Sequence, residues 1–398
     1  MPQVDRFDVI VVGGGPVGLS MALALVQSAR GMRVALVDRR PLTVPSDNRA
    51  SAIAASVRRL FEALGVWSGM EAAAQPIREM RITDSGSGDI ARPLFLTFDG
   101  DVGPGEPFAH MVPNSASIGA LLSGLNEGVT IVAPAEIATF ADAGSEAHLD
   151  LAGGRRLVAP LVIAAVRRMG GIGTLGHDYG QTGLVATIAH ELPHDGVAYE
   201  HFRPAGPFAS LPLPGNRSSL VWTETTAEAS RLLNLDKAAL AGEIEAAMGS
   251  SLGAVTVEDK LTGFPLRLQI AREFVGPRLA LIGDAAHVIH PIAGQGLNLG
   301  LKDVAALAEV VVEALRLGLD AGAPDVLARY QRRLDTAAMA AATDGLNRLF
   351  SNDMAPVRAL RDLGLGLVDR TPLAKSAFIR TAAGVSGNNP RLLSGLPI

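Results

Sequence analysis

A cluster of glycines set between two strand-like runs constrains this chain more than any other feature. Phe7 to Val12 (FDVIVV) is a short β-rich run ending at Gly13-Gly14-Gly15. Val17 to Val26 continues at helical spacing, and Arg33 to Val37 (RVALV) resumes strand character. The order is strand, tight turn, helix, strand. Gly13-x-Gly15-x-x-Gly18 opens the helix, and Asp38 ends the second strand twenty residues after the last glycine. The first glycine permits the turn, the second lets backbone N–H groups approach a pyrophosphate, and the third lets helix and strand pack closely. Asp38 is placed to accept from a ribose hydroxyl. Pro16, at the first helical position, and Arg39, next to the acid, join Gly13, Gly15, Gly18 and Asp38 as candidate cofactor-binding residues.

The same glycines dispose of another reading. Val9 to Val26 is eighteen residues without a charge, but Gly13, Gly14, Gly15 and Pro16 interrupt it where a membrane span or a signal segment is continuous. The expectation is a cytoplasmic protein. Its 398 residues, 48% hydrophobic, suffice for one large or two coupled domains, and a formal charge of -5 gives no overall attraction for nucleic acid. With Cys 0 there is no thiolate nucleophile, disulfide or Cys-ligated metal.

Further along, Arg49 to Leu64 reads as a second helix, and Ser85 to Gly105 as irregular or edge structure. Between about Thr130 and Val221 β-like runs dominate: Thr130–Val132, His148–Leu151 turning at Gly153-Gly154 into Arg156–Val158, Leu161–Ala164, Thr182–Ile188 and Ser218–Val221. Strand character returns at Leu279, a helix follows near Leu297 to Leu317, and beyond Asp325 the pattern is helical. This order predicts an α/β fold in which two interleaved domains share an interface.

A second constellation is Gly283-Asp284-Ala285-Ala286-His287, His290-Pro291 and Gly294-Gln295-Gly296-Leu297-Asn298-Leu299-Gly300. Small residues after a strand again let backbone approach a ligand, and Asp284 is placed to accept from a polyol hydroxyl. Gly294 and Gly296 lead into a helix whose positive end suits the anionic edge of a reduced flavin. On the residues alone, a strand-turn-helix connection without a ligand remains the alternative.

These motifs carry a resemblance. GGGPVG near the N-terminus, Asp38, Arg49 within DNRASAI and the segment Leu279 to Asp303 (LALIGDAAHVIHPIAGQGLNLGLKD) together resemble the FAD-dependent aromatic hydroxylases of the para-hydroxybenzoate hydroxylase type. The closer match is to the polyprenylphenol hydroxylases of ubiquinone biosynthesis. Phe202–Leu213, Ser219–Thr223, Phe264-Pro265-Leu266 and Ala342–Arg361 extend the similarity over essentially the whole chain. The resemblance implies a Rossmann-like FAD-binding domain (1–80, 109–178, 273–335), interleaved with a β-sheet substrate domain (81–108, 179–272) and followed by C-terminal helices (336–398). It adds Arg49, Gly283, Asp284, Gly294, Gly296, Leu297 and Asn298 to the cofactor-binding set, and it makes Pro291, Gly294 and Gln295 the candidate catalytic residues.

The implied reaction begins with reduction of FAD by transiently bound NAD(P)H or a reductase partner. Dioxygen adds at the flavin C4a, and the hydroperoxide transfers oxygen to an electron-rich phenol ring, most closely a polyprenylphenol. A flavin dehydrogenase or polyprenyl reductase of the same fold, and a catalytically degraded scaffold subunit of a biosynthetic complex, are the alternatives. Two places depart from the family pattern. Ala165-Val166-Arg167-Arg168 stands where members carry Asp-Gly and a nearby Ser, and Pro113, Asn114, Ser115 and Ile118 stand where Glu-Asn-Arg and a second Arg are usual. The Arg167-Arg168 pair reads as solvated, with contact to a cofactor phosphate as the alternative.

Two further stretches imitate functional signals. His190-Glu191-Leu192-Pro193-His194 spells H-E-x-x-H, but Pro193 breaks the helical turn that zinc ligation needs, so no metal is expected and the histidines read as solvated. From Arg370 to Ile398 there are four basic residues (Arg370, Lys375, Arg380, Arg391) and no acid, with Leu373, Ala377 and Phe378 at helical spacing. That pattern admits a peripheral site at the inner membrane face, or a helix packed on its own core.

Overall fold

A computed structural model describes residues 4–84, 94–99, 101–166, 171–290, 295–331, 372–387 and 389–398. The elements that position the site are, in chain order, β1 (Val9–Val12), α1 (Pro16–Ser28), β2 (Val34–Val37), β3 (Ala50–Ala54), α2 (Ala55–Ala63), β4 (Glu79–Asp84), β5 (Ala109–Pro113), β6 (Val129–Val132), β7 (Leu161–Ala164), β8 (Thr174–His190), β9 (Val197–Arg203), β10 (Gly206–Leu213), β11 (Arg217–Thr225), β12 (Thr262–Ala271), β13 (Leu279–Leu281) and α3 (Gln295–Arg316).

Among the described residues one sheet runs β6-β2-β1-β7-β13, all parallel, with Val275–Gly276 antiparallel at its edge. Its strands read VIVV, VALV and LVIA because both faces are covered, so no polar alternation is tolerated. On one face α1, α2 and α3 pack against Val9, Val11, Leu36 and Ile163. On the other, Ile10, Val12, Val162 and Leu281 meet the four-stranded sheet that contains Ala147–Leu151 and Arg156–Ala159. Each such Val, Leu or Ile side chain contributes about 1.5–3 kcal/mol on full burial.

The larger sheet has nine strands among the described residues and follows the order His287–Val288, β12, β8, β11, β10, β9, β4, Leu94–Asp99, with Val255–Val257 paired beside β8. Its outer face, including Leu184, Phe208, Leu220 and Trp222, is covered by helices Thr226–Leu232 and Lys237–Met248. The inner face packs on a three-stranded sheet, β3-β5-Gln75–Ile77. The residues just after β13 therefore join the two large sheets directly, since Ala285 still packs on the parallel sheet while His287 pairs with Ile270 of β12.

One sequence expectation fails here. Arg49 to Leu64 is not one helix: Ala50–Ala54 is a strand and only Ala55–Ala63 is helical. Alanine-rich sequence favours helix locally, yet β5 supplies an antiparallel partner from Ala54↔Ala109 to Ala50↔Pro113, and this ladder outweighs propensity. Thr130–Val132 is a strand as expected but lies in the parallel sheet, beside β2. Ala342–Arg361 and the Arg167-Arg168 pair lie outside the described residues.

Candidate functional site

The carboxyl ends of β1, β2, β7 and β13 come out on one edge of the parallel sheet, and the chain turns there at Gly13, Asp38, Ala165 and Gly283. Backbone bonds fix the four corners: Gly13 N–H donates to Val37 O (2.8 Å), Ala165 N–H to Val12 O (2.8 Å) and Ile282 N–H to Ala164 O (2.9 Å). Connections leave β1 toward β2 on one side and lead back to β7 on the other, so a crevice opens between them, as at the switch points of doubly wound sheets. A cleft of about 1000 Å³ occupies this edge, and its walls include Val12, Asp38, Arg39, Arg40, Val166 and Asp284.

The glycines divide the labour. Gly13 sits at φ +117°, a conformation L side chains rarely adopt, and a Cβ on Gly18 would lie 1.8 Å from Gly13 O, so both are demanded by the turn and by close packing. Gly15 differs, since a Cβ there would meet nothing within 4 Å. It is the N-cap of α1, with no side-chain cap, Pro16 at the first helical position and no acid in the first turn. The end of α1 is thus exposed at Gly15 and uncapped, and a helix N-terminus left in this way supplies the N–H donors and positive end that an anion requires. Asp38 binds the loop as well as facing the cleft: Oδ2 accepts from Gly14 N–H (2.7 Å) and Oδ1 from Arg40 N–H (2.8 Å). Lone pairs remain on both oxygens for a hydroxyl donor.

The second corner is tied to α3 by a group that sequence reasoning quoted only as the end of a motif. Asp303, fully buried, accepts through Oδ2 from Gly283 N–H (2.8 Å) and from His287 Nε2 (2.7 Å). An acid inside the apolar run LNLGLKDVAALAEVVV was the signal available. Gly283 adopts φ +55°, and a Cβ on Gly300 would stand 3.1 Å from Gly283 Cα and 2.9 Å from Val17, so turn, α1 and α3 meet at van der Waals distance. Loss of hydration lowers the His287 pKa, but the Asp303 carboxylate, with a further contribution from Asp284, more than reverses this and the net shift is upward. Asp284 opens to the cleft while protein surrounds it on most sides. Its carboxyl is raised by desolvation, opposed by His287 and Arg267.

Other expected residues are placed differently. Gly296 has open space where a Cβ would be, and Leu297 packs partly on the core beside α1. Asn298 uses both ends of its amide on β3, accepting from Ala54 N–H (2.9 Å) and donating to Ala52 O (2.8 Å), so it docks the start of α3 on that strand. Gln295 begins α3; Pro291 and Gly294 lie outside the described residues. Arg49 does not line the large cleft. Its guanidinium holds Asp47 with two bonds (3.0 and 2.8 Å) and lies over the Phe264 ring, in a smaller pocket of about 450 Å³. The hydrogen bond to Asp47 raises the Arg49 pKa.

Where the family pattern has Asp-Gly, Ala165 and Val166 press on the glycine loop, the Val166 methyl 3.0 Å from a Cβ placed on Gly13. At the other departure Asn114 accepts from Ser51 Oγ (3.0 Å), joining β3 to the end of β5. The expectation of solvated histidines at 190 and 194 is corrected, because both are buried. His190 bonds Leu192 O and Ser218 Oγ, and His194 bonds Leu213 O and the Gly196 N–H, so the turn at Pro193 is held by their rings. His290 is buried edge-on to Tyr179.

An uncapped helix end opposite an acid at a strand tip, with a second acid across the cleft, fits a nucleotide whose phosphates need N–H donors and whose hydroxyls need acceptors. Comparison with known proteins agrees. The family model described as "FAD binding domain" matches residues 6–344. The chain is 43% identical to ubiquinone hydroxylase UbiL of Rhodospirillum rubrum, over 98% of this chain and 93% of that one. It is 34% identical to 3-demethoxyubiquinol 3-hydroxylase of Escherichia coli, over 95% and 98%. The fold is shared with p-nitrophenol 4-monooxygenase PnpA of Pseudomonas putida (TM-score 0.79, 18% identity, 97% and 100% covered). It is also shared with PqsL of Pseudomonas aeruginosa (TM-score 0.73, 20% identity, 91% and 99% covered). The chain belongs to the FAD binding domain family and is an FAD-dependent monooxygenase.

Proposed function

We propose that this enzyme hydroxylates the ring of a polyprenylphenol in ubiquinone biosynthesis. The observation that carries the reading is the strand-end cleft with Asp38 and Asp284 on its walls, in a chain whose α1 terminus is uncapped and which is 43% identical to a ubiquinone hydroxylase along nearly its full length. Gly13, Gly15, Pro16 and Gly18 would hold the FAD pyrophosphate. Asp38 would take the ribose, with Arg39 beside it, and Asp284 with Gly283 would take the ribityl chain. Gln295 through Asn298 would present the α3 terminus to the flavin ring, and Pro291 and Gly294 would complete that segment. Arg49, held by Asp47 and Phe264, would approach from the neighbouring pocket. FAD, when bound, supplies dioxygen activation, with NAD(P)H as a transient electron donor. The protein's part is to bind and orient both partners and to exclude water.

In this reading the FAD-binding domain comprises 1–80, 109–178 and 273–335, the substrate domain 81–108 and 179–272, and the C-terminal helices 336–398. Among the described residues no helix is long and apolar enough to cross a membrane. The basic stretch from Arg370 to Ile398 would let the enzyme reach a lipid substrate at a membrane surface or within a biosynthetic complex. Ile379 and Ala383 of this stretch pack on the enzyme's own core, which favours a helix packed on that core for that face of Pro372–Ala382. The side chains of Leu373 and Phe378 lie outside the described residues.

Incubating FAD-loaded enzyme with 2-prenylphenol, NAD(P)H and air tests the reaction. The expected product is heavier by one oxygen. Gain of two hydrogens would assign the reductase reading, and an unaltered phenol with no nicotinamide oxidation would assign the scaffold reading.

A further inference from the structure

In the pattern G-x-G-x-x-G the residue between the first two glycines is left open by the turn, yet here it is Gly14. Packing supplies a reason. A Cβ on Gly14 would lie 2.1 Å from Leu42 Cδ2, so the Leu42 side chain already occupies the space that a larger residue at 14 would need. A Cβ on Gly15 would meet nothing within 4 Å. Gly14 therefore turns its bare face to Leu42, and Gly15 turns its own to open space.

Leu42 belongs to the segment 39–49, which leaves β2 at the cleft, where Arg39 and Arg40 form part of the wall, and enters β3 after Arg49. Its ends are tied. Arg40 N–H donates to Asp38 Oδ1 (2.8 Å), and Arg49 O accepts from Asn114 N–H (2.8 Å). The middle is held by little else, since among the described residues no hydrogen bond is made from Pro41 to Ser46. Pro41 and Pro45 suit such a stretch, because each fixes φ and has no N–H to satisfy. From Arg39 to Arg49 every residue is exposed except Leu42 and Pro45, and Leu42 packs against the core around α1. A stretch without backbone hydrogen bonds opens locally at small cost, so its one apolar seat decides where it lies. Both cations of the candidate cofactor set, Arg39 and Arg49, are on this segment, and Arg49 pairs with Asp47 of the same segment.

We propose that Leu42 is a positioning residue for the cofactor: seated on Gly14, it fixes segment 39–49 against the glycine loop and so fixes where Arg39 and Arg49 meet the anionic FAD. The inference rests on the strand-end cleft as the FAD site. With Leu42 seated, the cations are in place before FAD arrives, and little ordering entropy is lost on binding. An unseated segment carries the same charges but has to be ordered by the ligand.

Titration of FAD-free protein with FAD tests this in Leu42→Ala, Gly14→Ala, the double variant and Leu42→Met. Each single change to alanine should raise Kd about 10-fold, one by emptying the seat and the other by filling it and displacing Leu42. Because both break one contact, the double variant should match Leu42→Ala, whereas independent effects would multiply to about 100-fold. Leu42→Met refills the seat and should bind within about two-fold of wild type. Salt gives a readout that general destabilisation does not move: wild-type affinity should fall as ionic strength rises, and less steeply in Leu42→Ala, whose cations are no longer fixed beside the phosphates. Brief trypsin digestion of FAD-free protein should cleave Leu42→Ala faster than wild type after Arg39 and Arg49, with other sites unchanged. Wild-type affinity in Leu42→Ala, multiplied losses in the double variant, an unaltered salt dependence, or cleavage rising evenly along the chain would overturn the assignment. Wild-type affinity in Asp38→Ala and Asp284→Ala would instead overturn the cleft as the FAD site, on which it rests.

Discussion

Asp303 has no route to solvent and holds both the Gly283 amide and the His287 ring, so a change there acts on Asp284 without touching the cleft. Removing one member of a buried pair costs about 3–5 kcal/mol. His287 is raised in the folded state, so the pair's contribution is fully present below about pH 6.5, the unfolded value, and is lost as pH rises through the folded one. Urea unfolding of Asp303→Asn against wild type should therefore show a larger deficit at pH 6 than at alkaline pH; a deficit independent of pH would contradict the pair. His110 has the opposite sign. Burial, and secondarily Arg58, lower its pKa to about 4. Its neutral form supports the fold above about pH 6.5, and on the order of 3 kcal/mol is lost as pH falls toward 4. His110→Leu should flatten the acid limb of the stability profile, and an unchanged limb would assign that loss elsewhere. Neither role was legible in the chain alone, because each depends on which residues burial brings together. The positions of Gly13, Asp38 and Asp284 at strand ends, and of Gly18 in the first turn of α1, were legible because glycine and acid follow short apolar runs there.

At the scale of elements, two glycines three residues apart predict opposite behaviour. Gly15 has an extended backbone (φ -80°, ψ 179°) and open space where a Cβ would go. Gly15→Ala should keep the melting temperature of the FAD-free protein and weaken FAD binding. In Gly18→Ala the new Cβ meets Gly13 O, so strand and helix must separate, and the melting temperature falls even without FAD. Equal behaviour of the two variants by thermal melting and FAD fluorescence would contradict this division. The parallel sheet was readable because its central strands, VIVV, VALV and LVIA, are uninterrupted apolar runs. β3 was misread for a related reason: its five residues (ASAIA) carry no β-branched run, and its strand character comes from β5, far off in sequence.

Across the whole molecule, the two large sheets meet in the few residues from Gly283 to Val288, which leave the parallel sheet and enter the nine-stranded one. Interleaving was legible from the return of strand and glycine turn after a β-rich middle. The inner face of the larger sheet was not, since its cross-strand rows exist only once register is set. The central claim is that the strand-end cleft holds FAD between Asp38 and Asp284. Isothermal titration of FAD-free protein with FAD, for wild type, Asp38→Ala and Asp284→Ala, measures this most directly. One FAD should bind per chain, and each variant should raise Kd about 10- to 100-fold, the scale of roughly 1–3 kcal/mol for an unmet polar partner. Wild-type affinity in both variants, with one FAD still bound, would contradict it.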